Sequence, residues 1–297
     1  MSPSQNGLAK PVPPGDLSGV HPLSDAHDAF AARMMLIQTA SYQLDLQYYI
    51  WENDTTGNLL LCALVEAADR GVRVRLLLDD HGTIGLDDWL AALQQHEQIR
   101  VRLFNPYVQR RSRWLSLITD FRRLNRRMHN KSMTADGKMT IVGGRNIGDE
   151  YFAAIEGRLF ADLDVLVTGP AVDAVADDFE RYWQCAVAVP VEQLLASPQH
   201  PQALSLLQQR ARQRSTTKGN LRYLDQVANS DLMHAVRDKT LDMHWTRVTM
   251  VSDPPEKVLA RARRRSLITH QLQRVIGEPR RRLALISPYF VPTRAGA

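Results

Sequence analysis

The 297-residue chain is about 44% apolar and carries a formal net charge of +5. That length buries one substantial core, or one core and part of another, and the charge favours polyanionic partners without saying anything about fold. No apolar run approaches the roughly 18 residues of a membrane-crossing helix. Residues 1–20, rich in Pro, Ser and Gly, read as a disordered leader rather than a signal peptide. Cys62 and Cys185 fall in apparent helices without the spacing of a bridge or a zinc site, so they read as reduced core residues of a cytoplasmic chain.

In chain order, helices and strands alternate. Ser24 or Asp25 caps a helix with Phe30, Met34, Ile37 and Ala40 at the 3.6-residue period. Leu44, Leu46, Tyr48 and Ile50 alternate in a strand over 42–51. A helix over 57–70 ends at Gly71, in the position of a left-handed cap, and 72–78 is apolar enough for a buried parallel strand. Residues 86–95 read as helix, 99–104 and 162–167 as strands, and Pro170 opens a helix with Val172, Val175, Phe179 and Trp183 on one face. Residues 184–229 read as helices broken at 215–219 and carry no evident chemistry. This alternation predicts an α/β sandwich with a mixed, mostly parallel sheet flanked by helices, collecting ligands at the carboxyl ends of its strands.

Residues 128–151, MHNKSMTADGKMTIVGGRNIGDEY, concentrate the chemistry. His129, Lys131 and Asp136 stand in the pattern H-x-K-x4-D, followed by Gly143-Gly144-Arg145-Asn146. The flanks alternate and meet at Asp136-Gly137, a hairpin dipeptide. On the first strand a period of two puts His129 and Lys131 on one face, and Asn146 at the end of the second strand can join them. An imidazole, an ammonium and a carboxamide are what a phosphoryl group needs: one attacks or protonates, the others hold its non-bridging oxygens. Asp79-Asp80 reads as a strand-end turn in preference to part of this site.

The pattern resembles the signature of the phospholipase D superfamily, H-x-K-x4-D-x6-G-(S/G)-x-N, with every fixed position filled and Gly144 in the Ser-or-Gly place. The blocks QYYIWEND, RVRLLLDD, NRRMHNKS, GGRNIGDEYF and SPYFVPTRAG look like those of the bacterial cardiolipin synthase branch, and the resemblance runs from about His21 to the last residue. It implies a phosphatidyltransferase or phosphodiesterase acting on phosphatidylglycerol or a similar phospholipid. One histidine forms a phosphohistidine intermediate, while a second protonates the leaving alcohol and activates the acceptor. It implies no metal and no cofactor, because two lysines and two asparagines neutralise the phosphate. Carried onto this chain, His129 is the nucleophile or acid, and Lys131 and Asn146 bind phosphate. Asp136 belongs to the catalytic motif but braces the hairpin and its basic partners, with Glu150 in a similar role. Asp162, with Asp164 as competitor, is the carboxylate that orients a catalytic histidine.

Residues 110–127 interleave seven arginines with apolar side chains. Arg110, Arg111, Arg113, Trp114, Arg122 and Arg123 read either as the margin of a core-packing helix or as a helix lying on an anionic membrane surface. The segment leads directly into His129, and a lipid-handling site must face its bilayer. That favours the membrane and a peripheral place on the inner face of the cell membrane. The family blocks divide the chain into a first catalytic domain (21–186), a helical or irregular connection (187–266) and the start of a second domain (267–297), where LITHQLQRVIGEPRRRLALISPYF echoes MMLIQTASYQLDLQYYIW. No second H-x-K-x4-D occurs in the chain. The expectation is therefore a shortened two-motif enzyme that needs its second half, or a homodimer with the site on its two-fold. A dimeric nuclease is the alternative chemistry, with nucleic acid the less favoured substrate, and an inactive fragment that binds anionic lipid is the non-enzymatic one.

Overall fold

The computed structural model describes residues 15–107, 126–155, 157, 159–198, 200–259, 261–277 and 281. The first fourteen residues of the expected leader, the candidate membrane residues Arg110, Arg111, Arg113, Trp114, Arg122 and Arg123, and the SPYFVPTRAG block lie outside the described residues.

The elements follow the sequence pattern closely. In chain order they are β1 (Ser18–Leu23), α1 (Ala26–Thr39), β2 (Gln43–Ile50), α2 (Thr55–Asp69), β3 (Arg73–Gly82), α3 (Asp87–Leu93) and β4 (Ile99–Phe104). There follow β5 (Ser132–Ala135), β6 (Met139–Gly143), β7 (Asp164–Thr168), α4 (Ala171–Trp183), β8 (Ala188–Pro190), α5 (Ala203–Ser215), α6 (Lys218–Ala228), α7 (Asp231–Arg237), β9 (His244–Thr246) and α8 (Ile268–Ile276). Asp25, not Ser24, caps α1, its carboxylate accepting from the amides of His27 and Asp28. Gly71 ends α2 at φ +92°. Asp136 and Gly137 both take positive φ, as a two-residue hairpin between right-twisted strands requires.

The strands form one mixed sheet in the order β8-β4-β3-β2-β5-β6-β7-β1-β9. The βαβ crossovers through α2 and α3 make β2, β3 and β4 parallel. From β5 onward the chain advances by hairpins and edge additions, and the neighbours are antiparallel. Leu44, Leu46 and Tyr48 of β2 and Val74, Leu76 and Leu78 of β3 enter one core with α1, α2 and α3. Leu77 and Phe104 instead join Phe179, Tyr182 and Trp183 of α4 in a second cluster. Helices thus cover both faces, as the period-two patterning demands.

Two expected boundaries move. Ser18, Gly19 and Val20, assigned to the leader, are the first half of β1; all three pair with β9, and Gly19 and Val20 also with β7. Residues 187–266 do not form a separate connection: β8 and β9 are the two edges of the sheet, and α5, α6 and α7 pack on α1 and α2. Apolar residues spaced along these helices, such as Ala211, Tyr223, Val227 and Leu232, complete the main core. Of the segment expected to open a second repeat, α8 is described; its Leu272, Val275 and Ile276 are exposed, and the expected strand with Leu283 and Leu285 lies outside the described residues. Among the described residues no helix is long and apolar enough to cross a membrane.

One buried ionic cluster spans the layers. Asp164, 1% exposed at the start of β7, accepts from Arg33 Nη2 of α1 at 2.9 Å and from the amide of Arg145 at 3.1 Å, and lies 3.5 Å from Arg145 Nη1. Arg33 also donates to Ala29 O and Tyr48 Oη, and Arg145 to the carbonyls of Leu23 and Ser24. A Cβ on Gly143 would meet Asp164 Oδ1 at 2.0 Å, so the loop closes on the carboxylate only with glycine there. We expect Asp164→Asn to strand two buried guanidinium groups and to cost about 3–5 kcal/mol, read as a lower urea midpoint at unchanged m-value. A loss below about 1 kcal/mol would mean that the cluster does not hold the loop.

Candidate active site

β5 runs antiparallel to β2, with Ser132 opposite Gln47. The residues just before β5 therefore meet the carboxyl end of β2, beside the end of β3. His129 and Lys131 lie in this approach rather than inside the strand where the alternation put them, because β5 begins only at Ser132. They nevertheless share a side: Lys131 Nζ stands 3.2 Å from His129 Nδ1 and donates to the His129 carbonyl at 2.8 Å. Tyr49 completes the wall, its ring 4.7 Å from the imidazole and 5.5 Å from the ammonium.

Asn146 is brought in from the Gly143-Gly144 loop. Its Oδ1 accepts from the Ile50 amide at 3.1 Å, and its Nδ2 donates to Tyr151 Oη at 3.0 Å. The backbone amide fixes which way the carboxamide points, leaving one Nδ2–H for a ligand. Asp79 and Asp80, both fully buried, lie within β3, which runs on to Gly82, rather than in the strand-end turn expected of them. Asp79 accepts from the Met128 amide at 2.9 Å and from Arg127 Nε at 2.8 Å; Asp80 accepts from the Tyr107 amide at 2.7 Å. The backbone leading into His129 is thereby tied to the end of β3.

Asp136 sits at the far end of β5 from His129, in the hairpin turn. Its carboxylate accepts from the amides of Ser41, Tyr42 and Gln43 at 2.8–2.9 Å, so it braces the hairpin against the start of β2 rather than against basic side chains. The two competing carboxylates separate clearly. Asp164 is committed to Arg33 and Arg145. Asp162 lies over Gly144, where a Cβ would meet its Oδ1 at 1.8 Å; that oxygen accepts from the Leu163 amide, and its charge reaches Lys131. Glu150 faces Glu52 across a cleft of about 630 Å³ beside Asn146, lined also by Asp54, Asp149, Ile84, Tyr151 and Phe160.

Burial and then the charges of Lys131 and Lys257 push the His129 imidazole below its usual pKa, so that it is neutral at pH 7. Burial also lowers the Lys131 ammonium to about 8, against the raising influence of Asp162, Asp164 and Asp79. Tyr49, Tyr151, Lys257 and the His81–Tyr107 pair, hydrogen-bonded at 2.6 Å, were not singled out from sequence. For Tyr49 a signal was present: with Tyr48 facing the core, period two turns Tyr49 to the opposite face.

At the carboxyl end of β2 the fold gathers an imidazole, a buried ammonium and an oriented carboxamide. Residues 34–183 match the family described as "Cardiolipin synthase, PLD-like domain", and the chain belongs to that family. It is 50% identical over 278 residues to cardiolipin synthase C of Escherichia coli (strain K12), covering 94% of this chain and 58% of that protein. It is 32% identical over 170 residues to the major cardiolipin synthase ClsA of Bacillus subtilis (strain 168), covering 57% of this chain and 34% of that protein. The chain thus spans about three-fifths of the length of the first of these relatives and a third of the second. A looser likeness joins it to a solved phospholipase D family member, Nuc from Salmonella typhimurium, with 15% identity, a TM-score of 0.42, and coverage of 58% of this chain and 97% of that one.

The Lys131 shift has a sign that can be checked. Below about pH 8 Lys131 is protonated in both folded and unfolded chains, and the folded state bears the cost of burying the charge. Between about 8 and the ordinary value of 10.5, the unfolded chain holds the extra proton, so this group makes stability rise with pH. Lys131→Met is expected to stabilise the fold at pH 7 and to lose that advantage by pH 10.5, measured by urea melts across the range. An advantage that does not change with pH would place the lysine in ordinary solvent. At Asn146, Asn146→Asp exchanges the free donor for an acceptor and should lower turnover by roughly 100- to 1,000-fold with the fold retained.

Proposed function

We propose that this domain transfers a phosphatidyl group from a glycerophospholipid, phosphatidylglycerol or one like it, to an alcohol acceptor or to water through a phosphohistidine at His129. The observation that carries this reading is the placing of the His129–Lys131 pair beside Tyr49 and of Asn146 on the Ile50 amide, at the carboxyl end of β2. The imidazole nitrogen attacks phosphorus, the phosphorus–oxygen bond to the headgroup breaks, and the departing alkoxide takes a proton from a second acid. Lys131 and the free Asn146 N–H hold the non-bridging oxygens as charge builds on them. The acceptor hydroxyl then loses its proton to that same group and displaces His129. With Asp164 engaged by two arginines, Asp162 is the carboxylate assigned to orient the imidazole. Its position over Gly144 and its effect on Lys131 support that assignment.

The second acid/base comes from outside residues 21–186, from a second catalytic half or from another copy of the chain. The cleft beside Asn146 favours lipid over nucleic acid. Its carboxylates, Glu52, Asp54, Asp149 and Glu150, repel a polyanionic backbone; Asp54 and Asp149 are engaged by backbone amides, and Glu52 and Glu150 are the ones to accept from a hydroxylated headgroup, while Ile84 and Phe160 offer apolar surface. The protein is placed peripherally on an anionic membrane, with residues 110–127 as the contact.

The experiment is to incubate the chain with phosphatidylglycerol vesicles, quench in base, and read phosphohistidine by mass spectrometry, with His129→Asn as control and solution mass followed by light scattering. A phosphatidylated His129 peptide in the wild type alone is the expected outcome. Product from a dimer means that two chains complete one site, and single-turnover labelling of a monomer means that the second acid/base is not supplied by residues 1–297. Wild type without label at His129 overturns the reading.

A further inference from the structure

Residues 252–258 carry none of the motif residues, yet they shadow the backbone that bears His129. Val258 is buried in the same apolar cluster as Met128, and its carbonyl accepts from Arg126 Nη1 at 3.5 Å. On the other flank Asp178 of α4, 2% exposed, accepts from Asn130 Nδ2 at 2.9 Å with one carboxylate oxygen and from Ser252 Oγ at 2.6 Å with the other. Tyr182 Oη donates to the Asp253 carbonyl at 2.8 Å. Residues 126, 128 and 130 are thus tied to 258, 258 and 252, and His129 lies between the ties.

Between these anchors Pro254 and Pro255 stiffen a 3-10 turn, Pro255–Lys257. Lys257 pairs with Asp253, whose other carboxylate oxygen accepts from the Ile268 amide at 2.8 Å. The carboxylate is therefore held from a third element, and it in turn restrains the ammonium. An exposed lysine–aspartate pair of this kind contributes little to stability, so the anchoring calls for another reason. An ammonium has three donors, Asp253 takes one, and two remain for a ligand. The charge of Lys257 is also among those felt by the His129 imidazole.

We propose that Lys257 is a further phosphate-binding cation of the His129 site, acting with Lys131 and Asn146 on the phosphate of the substrate. The proposal rests on the phosphoryl-transfer reading given above and adds a residue from outside the motif. Asp253 acts as a positioning residue for Lys257. Two cations on one phosphodiester match the charge that gathers on its non-bridging oxygens, and the second comes here from the 252–258 segment.

The test is a titration of the 297-residue chain with inorganic phosphate, read at the His129 Cε1–H resonance by NMR. Lys257→Gln is expected to weaken phosphate binding by about tenfold, the worth of one charge-assisted hydrogen bond. Lys257→Arg should stay within about threefold of wild type. Asp253→Asn removes the same ion pair but keeps the ammonium, and should bind phosphate at least as tightly as wild type. Equal losses in Asp253→Asn and Lys257→Gln would reduce the lysine to a structural ion-pair partner and overturn the proposal. Unchanged affinity in Lys257→Gln alongside weakened affinity in Lys131→Gln overturns the Lys257 assignment alone. Unchanged affinity in both, or no response of His129 in the wild type, removes the phosphate site and the functional reading with it.

Discussion

The buried carboxylate of Asp164 is the constraint on which the site depends. Two guanidinium groups, from α1 and from the loop after β6, close on it inside the protein. A buried charge set of this kind gains little net stability over an apolar replacement but is costly to break. Its use here is positional. Arg145 lies between Gly144 and Asn146, so fixing its side chain and amide helps to fix the backbone that carries the Asn146 carboxamide to the Ile50 amide. Glycine at 143 follows from the same packing, since a side chain there would enter the carboxylate.

Around that anchor the sheet does the rest. Its parallel part, β2-β3-β4, brings Tyr49 and Asp79 to one edge, and the antiparallel return of β5 delivers His129 and Lys131 to the same edge. Asp79 and Asp80 spend their carboxylates on backbone amides of the incoming segments. Asp136 does the same at the opposite end of the hairpin. Three acidic residues that invite a catalytic reading are thus fasteners. Asp54 and Asp149 of the cleft are fasteners as well, accepting from backbone amides around the start of α2.

The electrostatics of the site follow from burial. Lys131 is sheltered enough that its proton is weakly held, and burial, aided by that charge, lowers the pKa of the neighbouring imidazole. A neutral histidine beside a cation is the combination a nucleophilic displacement at phosphorus needs. Further cationic support comes from a segment more than a hundred residues downstream, in a part of the chain that folds back on the catalytic unit rather than leading away from it.

By itself the sequence determined the α/β class, nearly every element from α1 to α4, the hairpin turn and the identity of His129, Lys131 and Asn146. These are local facts: periodicity, caps, a dipeptide with positive φ and fixed spacings within one short stretch. It also determined that this chain holds one such motif. Only the tertiary structure decided between Asp162 and Asp164 for contact with the arginines, because Arg33 lies 131 residues from Asp164 and no spacing rule connects them. The same holds for β1, β8 and β9, short strands whose pairing comes from distant partners, and for Lys257. An ion pair four residues apart in a loop has no periodic signature, and its place beside His129 exists only once α4, Met128 and Val258 have packed.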